Sequence, residues 1–464
     1  MIYDSEAGNI SIALTGDTML SRRLTPFTEA PYLAIKDILE GADAAFTNLE
    51  GTVRAPEDGT QDPTEGTPMT IPPSLLDDLK WMGVNMVSTA NNHVTDFGQD
   101  GLLASLRHVE AAGLVHSGSG AHLTAAQKPG YLDTKGGRVA LLSANSFFKP
   151  WNRASPHGPD LKGRPGVNII GYNETHTLPE DAFADLSAID QGLGFDKDIA
   201  RRRQGFFSDK EVGGAGNSEI TFLGKKFVEG DGFAVDTFIN GMDEADNLRW
   251  ISEARRQSDW VVFSLHCHAY SQRGADTAAN AADMEELADF ARAFARRAID
   301  AGVDVFVCHG PHISLGVEVY EGKPIFYSLG NFIFQNDTVT SVPVESFSRF
   351  DLDHLATPAG FLDARSDGGK KGFGAHENYW HSIFSLCRFA DGKLDGVELY
   401  PLDLGFGLSR SQRGRPVIAS GKFADDVLAR TQALSDFYGT KIDIKDGVGI
   451  LMLKRPEKLN SFTV

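Results

Sequence analysis

Short apolar runs that stop abruptly at a polar residue recur along the chain. The run at 10–14 meets Gly16 and Asp17, that at 44–46 meets Asn48, Leu49 and Glu50, and that at 86–88 leads to Asn91, Asn92 and His93. Further on, 261–265 ends at His266, 305–307 at Cys308, His309, Gly310, Pro311 and His312, and 325–329 at Gly330 and Asn331. Runs this short and this apolar predict strands covered on both faces. Helical spacing fills the intervals. Leu102, Leu103, Leu106 and Val109 share a face between Gly98 and Gly113, while Met284, Leu287, Ala291, Phe294 and Ala298 repeat up to Gly302. Alternating strand and helix signals predict a layered α/β fold.

Two stretches break the rhythm. Residues 147–240, with a basic cluster at Arg201, Arg202 and Arg203, and residues 335–378 are rich in Gly, Pro, Asn and charge. They read as irregular insertions, either functional loops or plain surface elaboration. After 385–389 the strand pattern resumes, followed by a helix near 423–435 and a final strand near 448–453. No linker-like composition precedes this tail, so 1–464 reads as one domain with a C-terminal extension at about 408–464.

Composition narrows the class. Of 464 residues, 41% are hydrophobic and 23% charged, which excludes a disordered or fibrous chain. Lys plus Arg number 44 against 63 Asp plus Glu, a formal charge of −19. Such an acidic surface argues against nucleic acid or an anionic membrane as partner, but not against a small or medium anionic substrate, since bound metal reverses the charge inside a pocket. Three cysteines give no disulfide framework. Acidic residues at 1–9 do not suit a signal peptide, and no run approaches the ~20 apolar residues that cross a bilayer. These signs predict a cytoplasmic chain without a membrane anchor; its oligomeric state stays open.

Placement carries the chemistry. Asp17, Glu50, Asn92, His93, His266, His309 and His312 directly follow five separate apolar runs, and in open α/β sheets ligands bind beyond the carboxyl ends of the strands. Each residue alone has an ordinary explanation: a turn, a helix cap or a satisfied core histidine. Gathered from several strand ends, oxygen and imidazole donors are the ingredients of a Zn, Mn or Fe site. Cys267 and Cys308 read as small buried hydrophobes.

The matching segments are then specific. IALTGDTML (12–20), AFTNLEGTV (45–53), VSTANNHVTDFGQDGL (87–102), VVFSLHCH (261–268) and VFVCHGPHISLGVEVYEGKPIFYSLGNFIF (305–334) resemble the CapA or PgsA family, the poly-γ-glutamate capsule-synthesis family of the calcineurin-like metallophosphoesterase superfamily. The resemblance covers most of the chain outside the two insertions and implies an α-β-β-α sandwich with a two-metal centre. It implies Asp17, Glu50, Asn92, His266, His309 and His312 as metal ligands, with Glu50 where a bridging aspartate would stand, and His93 as the catalytic histidine. Thr18 and Met19 stand where superfamily phosphatases carry a histidine two residues after the aspartate, and the His309 and His312 pair is one residue wider than usual.

Physical reasoning agrees with those roles. Two metals roughly 3.5–4 Å apart need a bridging carboxylate, and they make water nucleophilic near neutral pH. His93 then serves as general acid or steadies developing charge. His268, two residues past His266, shares its face if the strand continues and offers a replacement ligand. Asn48 and Tyr270 are further contacts for the metals or the substrate. Arg22 and Arg23 offer guanidinium groups for a substrate anion, against the alternative of surface solvation. The expectation is a metal-dependent hydrolase acting on a phosphoester or amide bond of an anionic substrate. The alternative is a non-enzymatic or accessory component of poly-γ-glutamate or capsule biosynthesis.

Overall fold

The apolar runs become strands of two large sheets, seen in a computed structural model that describes residues 8–62, 67–204, 218–271 and 284–453. In the ten-stranded sheet the strands Ile10–Met19, Ala44–Leu49, Met86–Ser88 and Val115–Ser117 run parallel in that spatial order. Beyond Ile10–Met19 lie the antiparallel strands His381–Ala390 and Lys393–Asp403, then the C-terminal hairpin Ile442–Lys445 and Val448–Leu451. The six-stranded sheet has Gly137–Asn145, Trp260–His266, Val305–His309 and Lys323–Phe326 parallel at its centre.

Side-chain alternation makes these sheets the middle layers of a sandwich. Ile10, Ile12, Leu14, Ala44 and Phe46 of one sheet pack with Val139, Leu141, Trp260, Val262, Val305 and Val307 of the other in a shared core. The intervening residues point the opposite way. Ala13, Ala45 and Val87 meet Tyr32, Ile35 and Leu39 of the helix Ala30–Gly41. Ala140, Leu142, Val261, Phe263 and Phe306 meet Ile251 and Ala254 of the helix Gly241–Gln257 and Phe290, Phe294 and Ala298 of the helix Asp289–Ala301. Helix, sheet, sheet, helix is the expected α-β-β-α order. Strands covered on both faces explain why their runs are almost wholly apolar.

The same alternation aims the polar strand ends. His266 continues the inward series of Trp260 and Val262, His309 that of Val305 and Val307, and Asn48 that of Ala44 and Phe46. Asp17 is out of phase with Ile10, Ile12 and Leu14, but the register shifts between Leu14 and Asp17 and turns it to the same side. That shift needs close backbone approach. Asp17 N–H donates to the Gly330 carbonyl at 2.9 Å, and a Cβ on Gly16 would fall 1.9 Å from that oxygen.

Two sequence expectations need correction. Residues 147–240 are not merely irregular: Tyr172–Leu178, Glu219–Phe222, Lys225–Glu229 and Ala234–Ile239 form a four-stranded sheet beside the helices Glu180–Leu193 and Phe195–Gln204. Its strands are half-exposed and rich in polar residues, so they lack the apolar signature of the central strands. The side chains of Arg202 and Arg203 and the first seven residues lie outside the described residues. The helix expected from Met284 begins at Asp289, because Leu287 instead bridges Tyr270. The stretch 335–378 holds short helices and, among the described residues, no strand beyond 335. In the tail, the helix Gly421–Asp436 sends Val427 and Leu428 into the inter-sheet core. No helix among the described residues is long and apolar enough to cross a membrane.

The Gly16 contact gives a direct test of the fold's geometry. Gly16→Ala should lower unfolding free energy by about 2 kcal/mol or more, as overpacking against a fixed carbonyl does. Gly41→Ala, at a helix end where the added Cβ meets nothing within 4 Å, should be neutral or stabilising by up to ~1 kcal/mol. Equal effects in urea unfolding would contradict the close approach.

Candidate metal centre

At the carboxyl end of the inter-sheet core the apolar layer gives way to a cluster of carboxylates, amides and imidazoles. Asp17, Glu50, Asn48, His266 and His309 are buried there, and Asn92, His93 and His268 are partly exposed. Asn48 binds two members at once: its amide reaches Asp17 Oδ1 at 2.8 Å and His266 Nδ1 at 3.2 Å. His266 Nε2 faces Asn92 Oδ1 at 2.8 Å and His268 Nε2 at 3.0 Å. His312 Nδ1 lies 3.3 Å from Asp17 Oδ2 and 3.0 Å from Asn331 Oδ1, and its Nε2 is 3.7 Å from Glu50 Oε1. The loop holding His312 is unusual: a Cβ on Gly310 would sit 2.9 Å from the Cys267 carbonyl, and His312 itself has φ of 61°. A non-glycine residue in the left-handed region costs energy that the surrounding structure must supply.

Two overlapping groups of donors have the spacing to hold a metal ion. Asp17, Glu50 and His266 form one, and Glu50, His268 and His312 form the other, with the donor atoms of each group within 4.8 Å of one another. Glu50 is common to both. Among the described residues neither of its carboxylate oxygens has a hydrogen-bond partner, and both ring nitrogens of His309 are likewise buried without one. A buried carboxylate is stable only when paired, hydrogen-bonded, protonated or bound to a cation. Carboxylate and imidazole donors around it fit a transition-metal or zinc ion.

The electrostatics point the same way. Burial, reinforced by the charge of Asp17, pushes the Glu50 carboxyl up to about 7. Burial also works to raise Asp17, but the hydrogen bond and charge of His312, with His309 and His266, hold it well below the ordinary carboxylate range. Burial depresses His266 well below its usual value, with His268 adding to the effect. Burial likewise brings His268 down to about 3 and His309 to about 4. Neutral imidazoles are the form that binds metal. Burial would lower His312 too, yet Glu50, Asp17 and Asn331 raise it to about 9, so a proton there stands in for positive charge.

His93 occupies the rim. Its Nδ1 is 2.7 Å from Asp96 Oδ2 and its Nε2 is 3.9 Å from Glu50 Oε1. Burial alone would lower this imidazole, but Asp96 and then Glu50 raise it. Thr52 donates to the His93 carbonyl and Asn91 Oδ1 accepts from the His93 N–H, fixing the turn. Above the cluster opens a cleft of about 470 Å³, walled by aromatic residues of the two insertions, Phe147, Phe148 and Trp151 from one and Phe373 from the other. Tyr270 lines it as well, with its hydroxyl toward the Pro311 carbonyl at 3.4 Å.

Not every expected residue converges. His309 stands beside Asp17, Nδ1 to Oδ1 3.6 Å, but outside both donor groups. Arg22 turns away to the carbonyls of Ser411 and Arg413, and Arg23 pairs with Asp78 at 2.8 Å, so neither guanidinium reaches the cluster. Their closeness in sequence to Asp17 was misleading because the chain leaves the strand end at Met19. Cys267 and Cys308 are buried free thiols, as expected. Asp96 and Asn331 were missed, although Asp96 lies three residues after His93, one turn along.

The profile of a family described as bacterial capsule synthesis protein PGA_cap matches residues 11–336, a span that contains every donor above. The chain belongs to the PGA_cap family. Among its relatives is a protein of Sinorhizobium fredii named uncharacterized protein y4sH, 31% identical over 97% of this chain and 96% of the relative. PGA biosynthesis protein CapA of Bacillus subtilis is 34% identical over 45% of this chain and 48% of its own length. A Mycobacterium tuberculosis protein named probable polyglutamine synthesis accessory protein is 24% identical over 63% of this chain and 55% of that one. The PGA_cap family belongs with the metallophosphoesterase-like superfamily, in keeping with the α/β sandwich.

Two outcomes test this cluster. His268→Ala should reduce bound Zn or Mn measured by elemental analysis, whereas Arg22→Ala should not; unchanged metal in the His268 variant removes it from the donor set. The second is a sign. In chelator-treated protein, the stabilisation from protonated His312 is complete below its unfolded value of ~6.5 and is lost as pH rises through about 9. Melting temperature should therefore fall from pH 7 to 9 in metal-free protein, and His312→Gln should flatten that slope. Added metal, which competes with the proton, should stabilise more at the upper end of the window.

Proposed function

We propose that this chain is a metal-dependent hydrolase whose Asp17, Glu50, His266, His268, His312 and Asn92 would hold divalent ions, Glu50 being common to both donor groups. The observation that carries the reading is the sharing of Glu50 by two donor groups while both its oxygens lack hydrogen-bond partners among the described residues. Divalent ions held there would supply Lewis acidity toward the scissile group and toward water. His309, beside Asp17, completes the site as a further donor or as support for that carboxylate.

The chain's own residues supply the rest. His93, held by Asp96 at 2.7 Å, keeps its Nε2 directed toward Glu50 and the cleft, and delivers a proton to the leaving group. Asp96 fixes the tautomer and stabilises the imidazolium. Asn48 locks Asp17 and His266 in one arrangement, so little reorganisation is needed when substrate arrives. The aromatic walls exclude water from the scissile bond and favour a substrate with an apolar part. Both phosphoester and amide substrates suit this machinery.

A second reading has a specific observation behind it: relatives are named for capsule or PGA biosynthesis, and one as an accessory protein of polyglutamine synthesis. On that reading the centre binds a polymer or precursor without turning it over. Assays of metal-loaded protein on a generic phosphodiester and on γ-glutamyl amides, with and without chelator, separate the two. The hydrolase reading expects metal-dependent turnover; tight binding with no turnover on either class favours the accessory role. His93→Asn should lower turnover by roughly 10²–10⁴-fold with metal content intact, whereas Glu50→Ala should lower both. Loss of metal in the His93 variant contradicts its role as a non-ligand.

A further inference from the structure

Arg365 lies in the wall of the cleft, on the helix Pro358–Ser366 of the second insertion. That helix starts with Pro358 and is capped by Thr357, whose hydroxyl accepts from Gly360 N–H at 3.2 Å, so the arginine stands on a defined element. The side chain is half-buried, lies 5.9 Å from the Phe373 ring centre and donates to the Thr67 hydroxyl. Among the described residues no carboxylate comes within ion-pairing distance of it. Asp337, whose charge reaches it, is taken by Arg413 through a 2.6 Å hydrogen bond, while Arg349 adds repulsion. A half-buried guanidinium whose one hydrogen bond goes to a neutral hydroxyl leaves most of its donors open to a ligand in the cleft.

Its position at a junction gives those donors a purpose. A second cavity of about 400 Å³ shares Asn336, Arg365 and Phe373 with the catalytic cleft, and Lys371 and Arg410 line it further on. Phe373 links the two ends, its ring 5.4 Å from that of His312 and 5.9 Å from the Arg365 guanidinium, so a ligand reaching from the Glu50 cluster across that ring meets positive charge. We propose that Arg365 is the specificity-determining residue of this cleft, and that it takes a carboxylate carried by the substrate across an apolar span from the scissile bond. One planar guanidinium matches two carboxylate oxygens, and the apolar span suits Phe147, Phe148 and Phe373. This rests on the hydrolase reading, in which the metal end of the cleft takes the reacting group.

Binding rather than turnover tests it. Calorimetry on the zinc-loaded full chain would compare alkylphosphonates of graded chain length, ended either by methyl or by carboxylate. At the length that spans the cleft, the carboxylate should tighten binding roughly tenfold or more. Arg365→Gln should abolish that advantage while leaving the methyl-ended series and the metal content unchanged, and Arg365→Lys, which keeps charge but loses the fork, should retain part of it. No preference at any length, or a preference that survives in Arg365→Gln, overturns the proposal. Should the glutamine variant fail to fold, full retention in Arg365→Lys overturns it equally. Phosphonates that bind as well after chelation, or not at all, would instead sink the metal-centre reading and this inference with it.

Discussion

A carboxylate buried at the seam of two sheets governs this structure. Glu50 has Asp17 as a close negative neighbour, imidazoles on its other sides and no hydrogen-bond partner among the described residues for either oxygen. An uncompensated charge in such a place costs several kcal/mol. The protein alone offers two partial remedies, a proton on Glu50 and a proton on His312, and the environment moves both groups toward them. Divalent cations would answer the problem more completely, because they would neutralise Asp17 and Glu50 together and take up the depressed, neutral histidines.

The sandwich exists to present that seam. Inward-facing positions of the central strands are apolar along their length and turn polar only at their carboxyl ends, so one alternation builds the core and aims Asn48, His266 and His309. The register shift before Asp17 and the glycine at 310 adjust two strand ends that meet where Gly310 N–H donates to Asp17 Oδ2 at 3.1 Å. The insertions then wall the cleft without contributing to either donor group. Labour is divided accordingly: the central strands and the loops at their ends carry the donors, and the insertions line the cleft above them.

Much of this was legible in sequence because it depends on local pattern. Apolar runs ending in Asp17, Asn48 to Glu50, Asn92, His266 and His309 marked both the strands and the polar residues that gather at their ends. His268 was legible too, since alternate residues share a face when a strand end stays extended. Arg22 and Arg23 were not, because closeness along the chain says nothing about direction once the strand has ended; Arg413 and Asp78, hundreds and tens of residues away, decide it. The four-stranded sheet within 147–240 was hidden by half-exposed strands carrying Thr, Glu and Lys. Arg365 carried no signal at all, since only the fold of the second insertion brings it into the cleft wall, where no carboxylate among the described residues pairs with it.

The most direct measurement is anomalous diffraction from crystals of the full chain soaked in manganese or zinc. The account predicts two strong peaks flanking the Glu50 carboxylate, one toward Asp17 and His266 and the other toward His268 and His312. A fully soaked crystal with no anomalous density at that carboxylate would contradict it.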